Sequence, residues 1–287
     1  MKVLVTGAAG QLGTALLASA PDDWDVTGLT RADLDLSDGG AIAALVEREK
    51  PDWVINASAY TAVDKAESEP DLAMAVNGAA PAAFAKALNK TGGRLLQVST
   101  DFVFDGSANT PYTPDANRNP LSVYGQTKAA GEDGSSLSSD AVILRTSWVY
   151  SAGFANFVAT MLRLMSERDE LRVVSDQIGS PSWAPDIARS IWGLIAAGEA
   201  GTYHHSDAGA ISWHGFATAI AEEALELGLI GRMPTVHEIP TSEFPTPATR
   251  PAYSVLDDAS LRAVIGGEAA PWRENLRAML AEVKALG

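Results

Sequence analysis

Short apolar runs alternate with longer amphipathic stretches through the first half of the chain. The apolar runs have the length and composition of buried strands, and the stretches between them carry apolar residues at helical spacing. The runs predict strands over residues 2–6, 24–29, 53–57, 94–100 and 141–146, and the stretches predict helices over 11–19, 40–49, 71–89 and from 123 to about 131. Because strands that alternate with helices form right-handed βαβ units, this half is expected to form a parallel sheet.

The regular alternation ends near residue 150. Helices are predicted over 154–168, 185–197 and 212–227, and short strands over 171–175 and 202–205. Prolines then become frequent between Pro234 and Pro251, which favours irregular structure. We therefore expect an α/β fold, a Rossmann-type doubly wound parallel sheet with a smaller, mixed α/β C-terminal substrate domain at its carboxyl edge.

Composition narrows the classes of function. The chain has 287 residues and a formal net charge of −15, so we expect no nucleic-acid partner. It contains no cysteine, which excludes disulfides and thiolate metal sites, and its four histidines lack the spacing of a helical metal site. No apolar run approaches the roughly 18 residues of a membrane span, and the N-terminus lacks a signal-peptide pattern. We expect a cytoplasmic protein without membrane contact.

A glycine-rich turn follows the first predicted strand. Gly7, Gly10 and Gly13 form a G-x-x-G-x-x-G pattern that opens a helix, with Gln11 and Leu12 between the last two glycines. Glycines let the backbone approach a pyrophosphate closely, and a helix N-terminus offers it N–H groups and a positive dipole end. The position at the first strand–helix junction favours a dinucleotide site over a plain turn.

The second predicted strand ends beside charged residues that bear on the type of cofactor. Arg31 would meet a 2′-phosphate and favours NADPH over NADH, and the alternative is a solvated surface charge. Asp33 and Asp35 either contact the adenine or belong to a turn and helix cap with Ser37 and Asp38. We expect NADPH as the cofactor, with NADH as the alternative.

The ends of the next three strands carry further candidates. Small residues after the third strand would let a cofactor lie against the backbone; they are Ala57, Ser58, Ala59 and Thr61. Tyr60, among them, is either a cofactor contact or a core aromatic. The hydroxyl of Thr100, at the end of the fourth strand, either donates a hydrogen bond to a reacting carbonyl oxygen or caps a turn. Trp148, after the fifth strand, either faces the substrate or belongs to the core.

The residues from Tyr124 to Lys128 form a Y-x-x-x-K motif on a predicted helix. Positions i and i+4 share a helix face, so the phenol and the ammonium are expected to converge. A nearby cation lowers the pKa of a phenol from its usual value of about 10. Tyr124 could then exchange a proton with a substrate oxygen near neutral pH, while Lys128 could also bind the nicotinamide ribose.

These motifs together resemble those of the dTDP-4-dehydrorhamnose reductases, a family of extended short-chain dehydrogenases/reductases. The resemblance covers nearly the whole chain. It is carried by the glycine turn and by blocks over residues 56–67, 99–106, 124–128, 144–150, 176–181 and 250–257. The V-D-K-A-E block within 56–67 and the S-T-D-F-V-F-D-G block of 99–106 are more specific than the glycine turn.

The resemblance implies reduction of the C4 ketone of dTDP-4-dehydro-6-deoxy-L-mannose to give dTDP-L-rhamnose. Tyr124 would protonate the C4 oxygen, Lys128 would hold the cofactor and tune Tyr124, and Thr100 would assist. Asp101 and Trp148 would contact the sugar nucleotide. The dinucleotide would be lined by Gly10, Gln11, Leu12, Asp35, Leu36, Ala59, Tyr60 and Thr61.

The resemblance also implies how the chain divides into domains and what it assembles with. Residues 1–150 and about 184–207 would bind the dinucleotide, and about 151–183 and 208–287 would bind the substrate. Family members are described with magnesium at a subunit contact, but no ligands for it can be placed in this sequence, so no metal site is predicted. The expected partner is a sugar-nucleotide substrate, and the expected assembly is a monomer or a homodimer.

Two other functions compete with the reductase. One is a non-catalytic NADP-binding regulatory subunit of a methionine adenosyltransferase, against which the intact Tyr124, Lys128 and Thr100 count. The other is a sugar-nucleotide epimerase or dehydratase of the same superfamily. A dehydratase usually carries acidic residues beside its active threonine, whereas here Thr100 is followed by one acid and then by Phe102.

Overall fold

A computed structural model describes residues 1–286 and shows alternating strands and helices in its first half, as predicted. The elements up to the fifth strand are β1 (Lys2–Thr6), α1 (Gln11–Ala18), β2 (Asp25–Leu29), α2 (Gly39–Glu49), β3 (Trp53–Asn56), α3 (Val63–Ala66), α4 (Pro70–Met74), a π-helical turn (Ala75–Ala79), α5 (Ala80–Thr91), β4 (Arg94–Thr100), a 3₁₀ turn (Asp101–Val103), α6 (Val123–Ser135) and β5 (Val142–Thr146).

The second half adds shorter strands and longer helices. In order they are β6 (Val149–Tyr150), α7 (Phe157–Glu167), β7 (Glu170–Val174), β8 (Ile178–Gly179), β9 (Ser182–Trp183), α8 (Ala184–Ala197), β10 (Gly201–His205), β11 (Ile211–Ser212), α9 (Trp213–Glu226), β12 (Thr235–Ile239), a 3₁₀ turn (Thr241–Glu243), α10 (Ala259–Ile265) and α11 (Trp272–Leu286). None of the helices within residues 1–286 combines the length and the apolar character needed to cross a bilayer.

The central sheet is parallel throughout. Within the described residues its strand order is β2-β1-β3-β4-β5-β10, and every neighbouring pair runs in the same direction. The order reverses between β1 and β3, which creates a crevice at the carboxyl ends of these strands, where doubly wound sheets bind ligands. The predicted Rossmann-type fold is therefore confirmed.

Both faces of the sheet are covered by helices. In β1, Val3 and Val5 point to one face and pack with α1 and α8, while Leu4 points to the other face and packs with α2 and α5. All three side chains are almost completely buried. Burial on both faces explains why the strands appear in the sequence as continuous apolar runs rather than as alternating ones.

The segment predicted as one helix over 71–89 is helical throughout, but it is not a single regular α-helix. The segment contains α4, then the π-helical turn, then α5. Pro81 explains the interruption, because proline has no N–H to donate to the carbonyl four residues earlier, that of Asn77. A π-helical turn accommodates such a break, and turns of this kind are frequent at functional sites.

A second apolar cluster lies outside the central sheet. It is formed by α7, β7, α9 and α11, with Phe216 and Leu276 among its most buried members. The irregular structure predicted for the proline-rich segment is only partly correct, because β12 pairs in parallel with β7 there. Helices α10 and α11 were not predicted from the sequence.

Candidate active site

All residues predicted to bind cofactor or substrate line one cleft at the carboxyl ends of the central strands. The cleft has a volume of about 1050 Å³. It is bounded by the following predicted residues: Gly7, Gly10, Gln11, Leu12, Arg31, Asp35, Leu36, Ala57, Ser58, Ala59, Tyr60, Thr61, Thr100, Asp101, Tyr124, Lys128 and Trp148. The fold thus brings together residues that are up to 141 positions apart in the sequence, from Gly7 to Trp148.

The glycine turn forms the floor of this cleft at the start of α1. Gly7 has a φ of +71°, and a Cβ there would lie 2.9 Å from Oγ of Ser58. A Cβ on Gly13 would lie 2.0 Å from the carbonyl oxygen of Gly7. Gly10 precedes the helix, and no side chain in the described residues caps its first turn. The free N–H groups at this helix N-terminus fit an anionic group such as a pyrophosphate.

At the end of β2, the acidic residues build local turns. Asp33 accepts hydrogen bonds from the backbone N–H and the hydroxyl of Thr30, and Asp35 accepts two from Ser37 in the same way. Asp38 caps the N-terminus of α2, as the turn-and-cap interpretation predicted. Asp35 also lines the cleft, so both of its predicted roles are compatible with the structure.

Tyr60 belongs both to the cleft and to the core beneath it. Its ring packs in an apolar cluster that includes Ala66 and Tyr124, and its hydroxyl donates a 2.7 Å hydrogen bond to Glu69. Its backbone is held by Asn77, whose side chain accepts from the Tyr60 N–H and donates to the Tyr60 carbonyl. Asn77 also donates to the Thr127 hydroxyl on α6, so it ties the cofactor side of the cleft to the helix of Tyr124.

Tyr124 and Lys128 lie on the buried face of α6, as the motif spacing predicts. The Lys128 ammonium donates a 2.6 Å hydrogen bond to the carbonyl of Val98 on β4. Burial lowers the pKa of Lys128 to about 8, with the charge of Glu132 opposing the shift. Helix α6 begins where Ser122 accepts a hydrogen bond from the Gly125 N–H.

The predicted lowering of the Tyr124 pKa is wrong. Burial raises the pKa of Tyr124 to about 12, and the nearby Thr100 hydroxyl offsets this shift only in part. The desolvation of a phenolate in this pocket outweighs any stabilisation by the Lys128 cation. The phenol therefore stays protonated over the whole physiological range.

Thr100 and Asp101 lie beside the phenol. The Thr100 hydroxyl donates a 2.9 Å hydrogen bond to Oδ1 of Asp101 and accepts one from the Phe102 N–H. Thr100 therefore does cap the 3₁₀ turn, and it also faces the cleft. Burial raises the pKa of Asp101 to about 6, and within the described residues its Oδ2 atom has no hydrogen-bond partner.

Trp148 lies at the far end of the cleft in an unusual backbone conformation, with a φ of +45°. Its indole stacks on Trp213 with 3.4 Å between ring centroids and 6° between planes. A Cβ at Gly179 would lie 2.6 Å from the Trp148 ring. The indole therefore packs against Trp213 and lies close to Gly179, and it also lines the cleft. Trp213 and Phe157, which also line the cleft, were not predicted from the sequence.

The V-D-K-A-E block predicted to be family-specific has a structural role for each charge. Asp64 forms an ion pair with Arg250, 186 positions later in the chain. Lys65 forms an ion pair with Glu69, the residue that accepts from Tyr60. Glu67 accepts a 2.8 Å hydrogen bond from the N–H of Val123 in the first turn of α6. The sequence motif thus fixes the position of the Tyr124 helix.

A buried ionic network lies on the same face of α6, one helical turn beyond Lys128. Glu132, 2% exposed, accepts two hydrogen bonds from Arg145 and one each from Ser99 and Arg118. Arg145 is itself 4% exposed and also contacts the imidazole of His204. The network joins α6 to β4 next to Thr100, and sequence analysis did not identify it.

The described residues show no cluster of metal ligands. Over residues 1–286, no three histidine, aspartate or glutamate side chains converge as ligands of one ion would.

Comparison with known proteins places the chain in a family. The RmlD substrate binding domain matches residues 1–285. The chain is 42% identical to a dTDP-4-dehydrorhamnose reductase of Burkholderia thailandensis, over 95% of this chain and 96% of that protein.

Two crystal structures are similar over almost the whole chain. A dTDP-4-dehydrorhamnose reductase of Clostridium acetobutylicum superposes with a TM-score of 0.94, at 38% identity, over 99% of this chain and 100% of that one. The enzyme of the same name from Bacillus anthracis, in complex with NADP, superposes with a TM-score of 0.92, at 36% identity, over 98% and 99% of the two chains. The chain therefore belongs to the RmlD substrate binding domain family, the family of the dTDP-4-dehydrorhamnose reductases.

Proposed function

We propose that this protein is an NADPH-dependent oxidoreductase that reduces the C4 ketone of dTDP-4-dehydro-6-deoxy-L-mannose to dTDP-L-rhamnose. The observation that carries the proposal is the cleft in which Tyr124, Lys128 and Thr100 lie beside the glycine turn. Family membership supports the same reaction, since relatives that align over nearly the whole chain carry the name dTDP-4-dehydrorhamnose reductase.

The cleft fits a nicotinamide dinucleotide. The space left by Gly7 and Gly13 and the uncapped start of α1 suit the pyrophosphate, and the small side chains after β3 suit the rest of the cofactor. Arg31 is exposed at the end of β2, lines the cleft and would bind a 2′-phosphate. The NADP complex of the Bacillus anthracis relative supports this choice of cofactor.

The bound reduced nicotinamide supplies the hydride that the C4 carbon accepts. Tyr124 supplies the proton to the C4 oxygen, and its raised pKa ensures that the phenol carries that proton at neutral pH. Protonated Lys128 lies one helical turn away and favours the phenolate that remains. The Thr100 hydroxyl, which donates to Asp101 in the free protein, would donate to the same substrate oxygen.

The division into domains follows from the same reasoning. Residues 1–150 and about 184–207 contain all strands of the central sheet and would bind the dinucleotide. Residues about 151–183 and 208–287 contain the second apolar cluster and would bind the substrate. Trp148 lies between the two regions, where it would contact the sugar.

A coupled assay tests the proposed reaction. The 4-keto sugar nucleotide is generated enzymatically, the protein is added with NADPH or NADH, and the loss of absorbance of the reduced cofactor is followed. We expect oxidation that depends on the ketone, and no oxidation with either cofactor would refute the reductase assignment. A regulatory subunit would bind NADPH without turnover, and an epimerase would convert substrate without consuming added NADPH.

The role of Tyr124 is tested by Tyr124→Phe. We expect turnover to fall by several orders of magnitude, while the dissociation constant for NADPH stays nearly unchanged, because only the proton donor is removed. A phenylalanine variant with near-normal turnover would exclude Tyr124 as the donor.

The choice of cofactor is tested by Arg31→Ala. Loss of the guanidinium should weaken NADPH binding roughly 10-fold or more and leave NADH binding almost unchanged, because a hydrogen bond between charged groups contributes about 1.5–3 kcal/mol. Fluorescence titration of both cofactors measures this, and equal weakening of the two would remove Arg31 from the 2′-phosphate site.

A further inference from the structure

A second cavity of about 400 Å³ opens from the far end of the cleft. Side chains shared by the two spaces mark the junction; they are Phe102, Trp148, Phe157, Trp213 and Arg250. The second cavity is lined largely by apolar groups, among them Met161, Leu164 and Val173. A ligand that extends from Tyr124 into this cavity must pass the junction.

Arg250 is the one cationic side chain at the junction among residues 1–286. Arg31 and Lys128 line only the cleft, and Arg172 lines only the second cavity. The chain as a whole has a net charge of −15, which opposes the approach of any anion. Arg250 is therefore the side chain whose positive charge would attract an anionic group that lies between the two spaces.

Asp64 holds the Arg250 guanidinium in one orientation. Nη1 donates to Oδ1 of Asp64 at 3.1 Å and Nη2 donates to Oδ2 at 2.9 Å. The N–H of Ala248 also donates to Asp64, and Nη1 reaches the Ala248 carbonyl and the Thr246 hydroxyl. These contacts surround one end of the guanidinium and tie the proline-rich segment to α3, on the cofactor side of the cleft.

The other edge of the same guanidinium is open. Arginine has five N–H donors, and the contacts above use those of Nη1 and one of Nη2. Nε and the second hydrogen of Nη2 have no acceptor within the described residues. The Arg250 side chain is 26% exposed. An edge with two parallel N–H groups matches the geometry of a phosphate, which binds arginine in a bidentate manner.

We propose that Arg250 binds the diphosphate of the sugar nucleotide at this junction and that Asp64 is the positioning residue that orients it. The assignment rests on the proposed function, which places the sugar beside Tyr124. The pyrimidine then occupies the apolar second cavity, and the diphosphate is the part of the substrate that lies between them. The pyrophosphate of the cofactor has its own site at the start of α1, so Arg250 serves the substrate alone.

Binding measurements on the whole protein test the assignment without any turnover. The probes are dTDP, thymidine and NADPH, titrated by calorimetry into wild type, Arg250→Met and the control Arg163→Met. Arg163 is an exposed arginine paired with Glu167 on α7 and lines neither space. We expect Arg250→Met to weaken dTDP roughly 10- to 100-fold, and thymidine and NADPH less than about 3-fold, because a charge-assisted hydrogen bond is lost only with the diphosphate.

Two further variants separate a positioning role from a purely structural one. Arg250→Lys keeps the charge but not the two-pronged edge, so it should weaken dTDP by an intermediate factor. Asp64→Ala should weaken dTDP less than Arg250→Met does, and Asp64→Ala combined with Arg250→Met should match Arg250→Met alone, since Asp64 acts through Arg250.

Several results would overturn the assignment. Equal weakening of dTDP and thymidine by Arg250→Met would make Arg250 a structural residue, and additive losses in the double variant would separate Asp64 from Arg250. Weakening of NADPH instead would assign Arg250 to the cofactor. A failure of the proposed function gives a different result. If wild type does not oxidise NADPH in the presence of the ketone, the proposed reaction is refuted. The comparison of dTDP with thymidine binding still tests whether Arg250 binds the diphosphate.

Discussion

The buried carboxyl of Asp101 makes a quantitative prediction about stability. The side chain is 2% exposed, and burial raises its pKa from 3.8 to about 6. One pKa unit corresponds to about 1.4 kcal/mol, so ionised Asp101 destabilises the folded protein by about 3 kcal/mol at neutral pH. Asp101→Asn keeps an oxygen that can accept from Thr100 and removes the charge. The variant is therefore expected to gain stability relative to wild type as the pH rises.

The direction of the pKa shift of Asp101 determines how the stability difference between Asp101→Asn and wild type changes with pH. Because the pKa of Asp101 is higher in the folded state than in the unfolded state, the penalty is absent below about pH 4, grows up to about pH 6 and is constant above it. The free energy of unfolding of Asp101→Asn, minus that of wild type, should thus rise by about 2 kcal/mol between about pH 4.5 and pH 7. Urea unfolding of both cofactor-free proteins at several pH values measures this difference.

Asp105 provides a control of opposite sign. Hydrogen bonds from Ser107 and Asn119 hold the pKa of its carboxyl well below the usual range, so its contribution is stabilising above the unfolded pKa and is lost as the pH falls. Asp105→Asn should therefore lose stability relative to wild type as the pH rises. A pH-independent difference for Asp101→Asn, or a change in the same direction for both variants, would refute the conclusion that burial of the Asp101 carboxylate outweighs its hydrogen bonds.

Three further predictions concern the same site. The kcat/KM for NADPH, which reports the protein before cofactor binds, should decline as the pH rises through about 8, because Lys128 loses its proton there while Tyr124 keeps its own; a value that is constant to pH 10 would contradict this. Gly13→Ala should abolish NADPH binding or folding, because its Cβ would lie 2.0 Å from the Gly7 carbonyl oxygen; normal binding in a titration would contradict the close approach. Glu132→Ala should lower the free energy of unfolding by about 3–5 kcal/mol, because Arg145 is left buried without its partner; a loss below about 1 kcal/mol in urea unfolding would contradict this.

The sequence predicted the central sheet almost completely, and the reason is physical. Residues buried on both faces of a parallel sheet must be apolar throughout, so β1 and β4 were predicted with the bounds that the structure shows. The break at Pro81 was missed because the alanines around it favour a continuous helix, whereas the missing N–H of one proline changes the hydrogen-bond register. Strand β12 was missed because it lies within the proline-rich segment.

The parts of the site that were predicted from the sequence are those whose residues lie close together in the sequence. The glycine turn and the Tyr124–Lys128 pair each lie within one turn or one helix, so their neighbours in space are also neighbours in sequence. Contacts that depend on the fold itself were not predicted. Asp64 meets Arg250 across 186 positions, and nothing in either local sequence indicates its partner.

The electrostatics of the site follow from one cause rather than from mutual attraction of its residues. Burial raises the pKa of Tyr124 and of Asp101 and lowers that of Lys128, so each of the three shifts favours the neutral form. Lys128 and Asp101 consequently titrate within about two units of neutrality, and their charges respond to what enters the cleft. An anionic cofactor beside Lys128 would favour the ammonium, and the developing negative charge on the substrate oxygen would favour it further. The phenol of Tyr124 is thus already protonated in the free protein, whereas the positive charge of Lys128 is stabilised by the bound ligands.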